Sequence, residues 1–218
     1  MDQLSGLRDA ILNGDANAAA EATATALAAG VAPVLIISDG ISPAMKEVGQ
    51  LFEEGEYFVP ELLVAARATK EVFAILRPLL AETGARPAGR VLLATVEGDL
   101  HDIGKNLVAA MLEGAGFEVV DLGVDVPAAR FVSAVATARP QIVGLSALLT
   151  TTMTAMKSTL EALDAAGLRS QVKVMVGGAP VTQRYADSIS ADGYGDSATV
   201  AVDLARRLID GRNLEAEG

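Results

Sequence analysis

The chain holds a single histidine, His101, in the stretch "VEGDLHDIGKN", Val96 to Asn106. It follows Asp99 by two residues, precedes Gly104 by three, and stands directly behind an apolar run. A carboxylate beside an imidazole can accept a hydrogen bond from one ring nitrogen. That fixes the tautomer and makes the other nitrogen a better donor. Such a pair suits a general base or a ligand to one metal. A glycine nearby lets the backbone approach something bulky. Two further stretches have unusual chemistry for their setting: "LSALLTT", Leu145 to Thr151, and "GGAP", Gly177 to Pro180.

The elements that would position these residues fall into two parts. Residues 1–84 read as helices only. "LSGLRDAILNGD" and "ANAAAEATATALAAG" are rich in alanine and leucine, and each ends near a glycine or Asn-Gly stop. "APVLIISDGI" is β-branched enough for a strand, but a lone strand among helices has no partner, so it is expected to be a buried helix. Ser42 and Pro43 read as an N-cap and first turn, and that helix should run to "EEGE". Pro60 opens the next, with Leu62, Ala66, Phe73, Leu76 and Leu80 on one apolar stripe. Four or five antiparallel helices would make a small bundle. "TGARPAG" contains the expected linker, residues 85–89.

Residues 90–212 have a different pattern. "RVLLATV", "FEVVDLG", "QIVGLSA" and "VKVMVGG" are short β-rich runs. Helical stretches lie between and after them: Ile103 to Gly116, Pro127 to Ala138, Thr152 to Gly167, and Val181 to about Ser190. "ADGYGD" reads equally as a last strand or a turn, and a C-terminal helix follows. Strands alternating with helices predict an α/β domain, a doubly wound parallel sheet covered on both faces. In such a sheet ligands bind beyond the carboxyl ends of the strands. All three unusual stretches leave such ends, whereas the loop after the second strand, "GVDVP", reads as a plain connection.

Several chemistries fit poorly. Ser146, His101 and Asp99 could form a hydrolase triad, but Ser146 lacks a glycine-flanked elbow. Gly98 and Gly104 do not make a dinucleotide fingerprint, and the glycine spacing before Lys105 is wrong for a phosphate loop. A receiver domain would want an aspartate where Ser146 stands. What remains is an axial histidine for one metal carried inside a cofactor.

"GDLHDIGKN", "LSALLT" and "VGGAP" resemble the D-x-H-x-x-G, S-x-L and G-G signature of cobalamin-binding domains. The helical half, with "VGQLFEEGEYFVPELL", resembles the cap module of methionine synthase and of corrinoid proteins in anaerobic methyltransferase systems. The resemblance covers nearly the whole chain and implies a Rossmann-like or flavodoxin-like sheet behind a helical cap. It implies that His101 is the lower ligand to cobalt, in place of the cofactor's own benzimidazole, with Asp99 hydrogen-bonded to it. Gly104 would give room for the displaced nucleotide tail, and Ser146 and Leu148 would line its deep pocket, with Asp102, Ile103 and Thr150 as further contacts to the cofactor. Gly177 and Gly178 would let the tail pass the fourth strand. Thr152 stands where a serine completes the relay from the aspartate. Phe52, Val59 and Leu62 match positions that cover the methyl group from above.

The implied function is a methyl carrier. Cobalt(I) would take a methyl group from a substrate held by a substrate-specific corrinoid methyltransferase. Methylcobalamin would then bind His101, and a second methyltransferase would pass the methyl group to tetrahydrofolate or a thiol. A reductive activation protein is a further expected partner. Release of His101 should be coupled to proton uptake by the His101–Asp99 pair, and "TGARPAG" would be the pivot that lets partners reach cobalt. The alternatives are a cobalamin-dependent sensor or regulator, and a scaffold domain of the same fold without cobalamin. With no visible site for substrate activation, a non-catalytic carrier subunit is expected.

Composition narrows the field. A formal charge of −11 argues against nucleic acid or an anionic membrane as partner. No apolar run reaches transmembrane length and "MDQLSGLRDA" lacks a signal-peptide pattern, so a cytoplasmic protein is expected. The absence of cysteine excludes disulfides and thiolate metal sites. One histidine excludes a multi-histidine site within one chain.

Overall fold

The computed structural model describes residues 3–83 and 87–216. It divides into two compact units, Met1–Ala88 with Ala110–Phe117, and Gly89–Ala109 with Glu118–Gly218. Of the expected linker and pivot, residues 84–86 lie outside the described residues.

The first unit contains α1 (Ser5–Leu12), α2 (Ala16–Ala28), α3 (Pro33–Leu35), α4 (Ser42–Glu53) and α5 (Val59–Thr83). Asp15 caps α2, accepting from Asn17 N at 3.1 Å and Ala18 N at 3.0 Å. The core is formed by Leu7, Ile11, Ile36, Ile41, Met45, Val48, Leu62, Val72 and Leu76. Within α5 the buried face runs through Leu62, Ala65, Ala68, Thr69, Val72, Phe73 and Leu76, whereas Ala66 and Leu80 are half-buried at its margin.

"APVLIISDGI" is helical, with two corrections. Ile36–Ile41 is one stretch of π-helix joining α3 to α4, and the segment is only partly buried, since Val34, Leu35, Ser38 and Asp39 are exposed. Ser42 is not an N-cap. Its backbone is αR and the helix passes straight through it. Pro43 has no N–H to offer the carbonyl four residues back. That carbonyl, Asp39 O, instead accepts from Arg8 Nη1 at 2.9 Å. The proline sits inside a continuous helical path because a π-turn and an arginine absorb its cost. The start of α5 is closed by Phe58 N donating to Glu61 Oε2 at 2.9 Å, half of a capping box.

The second unit is a five-stranded parallel sheet, β1 (Arg90–Thr95), β2 (Glu118–Asp121), β3 (Ile142–Ser146), β4 (Lys173–Gly177) and β5 (Gly193–Gly195), in the order β2-β1-β3-β4-β5. "ADGYGD" therefore does supply a last strand. The connecting helices are α6 (Ile103–Gly114), α7 (Ala128–Ala138), α8 (Met153–Ala165), α9 (Gln183–Ser188) and α10 (Ala198–Ala216).

Alternate strand residues (Leu92, Ala94, Val143, Leu145, Val174 and Val176) share one core with Phe131 and Val135 of α7, Met156, Leu160 and Leu163 of α8, and Ala186 of α9. On α10, Leu204 and Ala201 lie against β5 so closely that a Cβ on Gly193 would come within 2.6 Å of Leu204. Burial on both faces explains why the strands read as continuous apolar runs rather than alternating ones. The order reverses between β1 and β3, and the carboxyl end of such a switch point is where open parallel sheets bind ligands.

Candidate cofactor site

The loops leaving β1 and β3 carry His101 and Asp99, and Ser146 to Thr152, respectively. The first turns at once. Gly98 has φ +81°, a left-handed conformation that favours glycine. Asp99 then falls inside the protein, its side chain 0 % exposed.

Every donor around that carboxylate belongs to one of the two loops. Asp99 Oδ1 accepts from His101 N at 3.1 Å and pairs with His101 Nδ1 at 2.9 Å. Asp99 Oδ2 accepts from Leu148 N at 2.7 Å, Leu149 N at 3.4 Å and Thr152 Oγ1 at 2.8 Å. Burial pushes the Asp99 pKa up, but hydrogen bonds from Leu148 N, Thr152 Oγ1 and His101 outweigh it and hold the carboxyl well below its usual range. Asp99 is thus ionised at neutral pH and can only accept.

That decides the histidine tautomer. Facing an acceptor, Nδ1 must carry a hydrogen, so in the neutral ring Nε2 keeps its lone pair. Nε2 makes no hydrogen bond among the described residues, and the His101 side chain is 54 % exposed. Thr95 Oγ1 donates to His101 O at 2.8 Å and pins the main chain behind the ring. Along the two loops Leu100, Ile103, Leu148 and Leu149 are all exposed. A half-exposed nitrogen donor flanked by uncovered leucine and isoleucine fits a broad, largely apolar group bearing one metal. It does not fit a bare ion, and no cluster of three or more histidines, aspartates or glutamates exists among the described residues.

The remaining expected residues are placed as follows. Thr152, 8 % exposed, has one hydroxyl proton and two acceptors within reach, Asp99 Oδ2 and Leu149 O at 2.9 Å, so it serves one at a time. Thr150 is exposed, and no hydrogen bond among the described residues ties it to Asp99. Ser146 is half-buried at the end of β3, where its carbonyl accepts from Val96 N at 3.0 Å. Asp102 is exposed and accepts from Asn106 Nδ2 at 3.0 Å, while Ile103 begins α6. A Cβ at Gly104 would meet only open space.

The two glycines at the end of β4 have a need within the protein itself. A Cβ on Gly178, whose φ is +129°, would lie 1.9 Å from Ala147 O, and one on Gly177 would lie 2.9 Å from Gly195 O. In the helical unit, Phe52 and Val59 are half-buried, and Leu62 is fully buried.

Two residues escaped the sequence reading. The loop after β2 is not a plain connection, because Asp125 Oδ1 accepts from Gly98 N at 2.7 Å. Lys105, dismissed above with the phosphate loop, is buried and pairs with Asp121 Oδ2 and with Asn106 Oδ1 at 2.7 Å. An acidic residue in an otherwise apolar exit loop was the visible signal for the first. A lysine on the first turn of a helix gave none.

Residues 89–203 match the B12 binding domain family, and residues 3–77 match a second B12 binding domain family. The chain belongs to the B12-binding family. The cofactor of that family is cobalamin, in keeping with the donor set just described. The chain is 47 % identical over 204 residues to trimethylamine corrinoid protein 1 of Methanosarcina acetivorans, covering 93 % of this chain and 94 % of the relative. It is 41 % identical over 212 residues to a corrinoid protein of Desulfitobacterium hafniense, covering 96 % and 98 %. Among solved structures it resembles the methanol:cobalamin methyltransferase complex of Methanosarcina barkeri, with TM-score 0.85, 33 % identity, and 96 % and 80 % of the two chains covered. No described helix is long and apolar enough to cross a membrane.

Proposed function

We propose that this chain is the methyl-carrier subunit of a methylamine methyltransferase system, with His101 as the protein ligand to cobalt. Cobalamin, when bound, supplies a cobalt that can accept a methyl group and give it up again. The observation that carries the reading is the half-exposed His101 ring, anchored through Nδ1 to a buried, ionised Asp99.

The chain's own residues divide the remaining work. Asp99 keeps the hydrogen on Nδ1, so Nε2 meets the metal as a lone pair. Thr152 Oγ1 and the Leu148 amide hold Asp99 in place. Leu100, Ile103 and Leu149 would offer apolar surface to the ring system. Gly104, Ser146, Leu148, Gly177 and Gly178 are assigned to the nucleotide tail, and Asp102 and Thr150 to further contacts with the cofactor. Phe52, Val59 and Leu62 are assigned to the methyl side.

Support for the methylamine class comes from the relatives. Trimethylamine corrinoid proteins are 47–49 % identical to this chain, and the dimethylamine corrinoid protein of Methanosarcina barkeri is 46 % identical. The partners are then a methylamine:corrinoid methyltransferase and a second methyltransferase acting on tetrahydrofolate or a thiol. A reductive activation protein completes the set.

One experiment tests the ligand and another the substrate. Mixing with hydroxocobalamin should give a complex that survives gel filtration and shows the imidazole-bound spectrum. His101→Ala should keep the corrinoid and lose that spectrum, and an unchanged spectrum defeats the ligand assignment. The reduced complex should be methylated by a trimethylamine methyltransferase. Methylation by a methanol enzyme alone would overturn the methylamine reading.

A further inference from the structure

The turn that carries Asp99 is gripped from two sides. The exit loop of β3 holds its carboxylate, as described. The exit loop of β2 holds its main chain. Asp125 Oδ1 accepts from Gly98 N at 2.7 Å, and Asp125 N donates to Asp99 O at 2.9 Å. Val126 N donates to Thr95 O at 3.1 Å, and Val96 bridges Val126 in parallel fashion. Asp125 itself has φ 52°, a left-handed conformation that aspartate and asparagine tolerate better than alanine.

We propose that Asp125 is a positioning residue for His101. Its carboxylate fixes the Gly98 amide and its own amide fixes the Asp99 carbonyl, so the residue that aims the imidazole has its backbone and its side chain set by different loops. The proposal rests on His101 being the cobalt ligand. The side-chain bond is what distinguishes Asp125 from ordinary loop packing. Main-chain bonds already close the loop at Val126, and the carboxylate adds a tie to the Glu97–Gly98 peptide unit, one residue ahead of Asp99.

The backbone conformation makes the test selective. Asp125→Gly keeps access to the left-handed region and removes the acceptor. Asp125→Asn keeps both conformation and acceptor oxygen and removes the charge. In the full chain loaded with hydroxocobalamin, Asp125→Gly should retain the corrinoid but lower the ratio of imidazole-bound to imidazole-free spectra roughly five-fold, the worth of one lost hydrogen bond. Asp125→Asn should return that ratio to within about two-fold of the wild type. In the cofactor-free chain, hydrogen exchange at the Gly98 amide should speed by roughly ten-fold in Asp125→Gly and stay near the wild-type rate in Asp125→Asn.

A wild-type ratio in Asp125→Gly would overturn the proposal, as would an equal fall in Asp125→Gly and Asp125→Asn. His101→Ala, run in parallel, separates the two levels of the argument. If it loses the imidazole-bound spectrum while Asp125→Gly behaves as wild type, the ligand assignment stands and the positioning role falls. If His101→Ala leaves the spectrum unchanged, both fall.

Discussion

Asp99 and Asp192 lie at opposite ends of the same sheet and show what separates a structural carboxylate from a site. Asp192, directly before β5, accepts from Arg169 Nη2 at 2.8 Å and from Val174 N of β4 at 2.6 Å, with Lys173 Nζ 4.0 Å away. Arg169 spends its other bonds on Ser190 O and Val172 O. That cluster carries its own countercharge and is complete. Asp99 is more deeply buried and its donors are amides, a hydroxyl and an imidazole, with no fixed cation. Burying a charge against neutral dipoles alone is costly. It is tolerated here at the end of the sheet where the imidazole still has a nitrogen to offer.

Substitutions can break or sharpen that contrast. The largest effect is expected for Asp99→Ala, which deprives three amides and an imidazole nitrogen of their acceptor. It should lower the unfolding free energy by about 3 kcal/mol in urea titrations and abolish the imidazole-bound spectrum. Arg169→Ala leaves Asp192 without its close cation and should cost about 2 kcal/mol while leaving the spectrum of the loaded protein unchanged. A spectral change there would mean that the two ends of the sheet are not independent. Thr152→Val removes one hydroxyl from Asp99 and should cost about 1 kcal/mol, with a partial fall in the imidazole-bound fraction.

The smallest effect concerns acid. The folded Asp99 carboxyl titrates below its unfolded value, which lies near 4. Its stabilisation is therefore whole above about pH 4 and is lost as pH falls toward the folded value. The stability gap between wild type and Asp99→Asn should narrow by about 1 kcal/mol between pH 4 and pH 3. A gap that stays constant would show that the ionised form is not what the site holds.

Much of this was visible in the sequence because it rests on repetition or on rare residues. Buried parallel strands need unbroken apolar runs, and four of the five announced themselves that way. "ADGYGD" was ambiguous because a three-residue strand of Gly193, Tyr194 and Gly195 has almost no side chains to show a pattern. The single histidine with its aspartate marked the site. The reading of Ser42 and Pro43 failed because local residue preference cannot reveal Arg8, thirty-one residues from Asp39 along the chain, supplying the missing donor. Asp125 went unnoticed for a related reason. Its importance lies in a left-handed backbone and a bond to Gly98 across twenty-seven positions, and a five-residue loop shows neither.

At Gly178 the chain leaves no room for a side chain above the Ala147 carbonyl. A single methyl group there would act as a wedge between two neighbouring strand exits. The carbonyl it pushes on shares a peptide unit with the Leu148 amide, which anchors the buried carboxylate. So the smallest side-chain addition in protein chemistry, made on a different strand, would be felt as a change in the aim of the imidazole. The geometry of the histidine is written partly in an atom that the fourth strand does without.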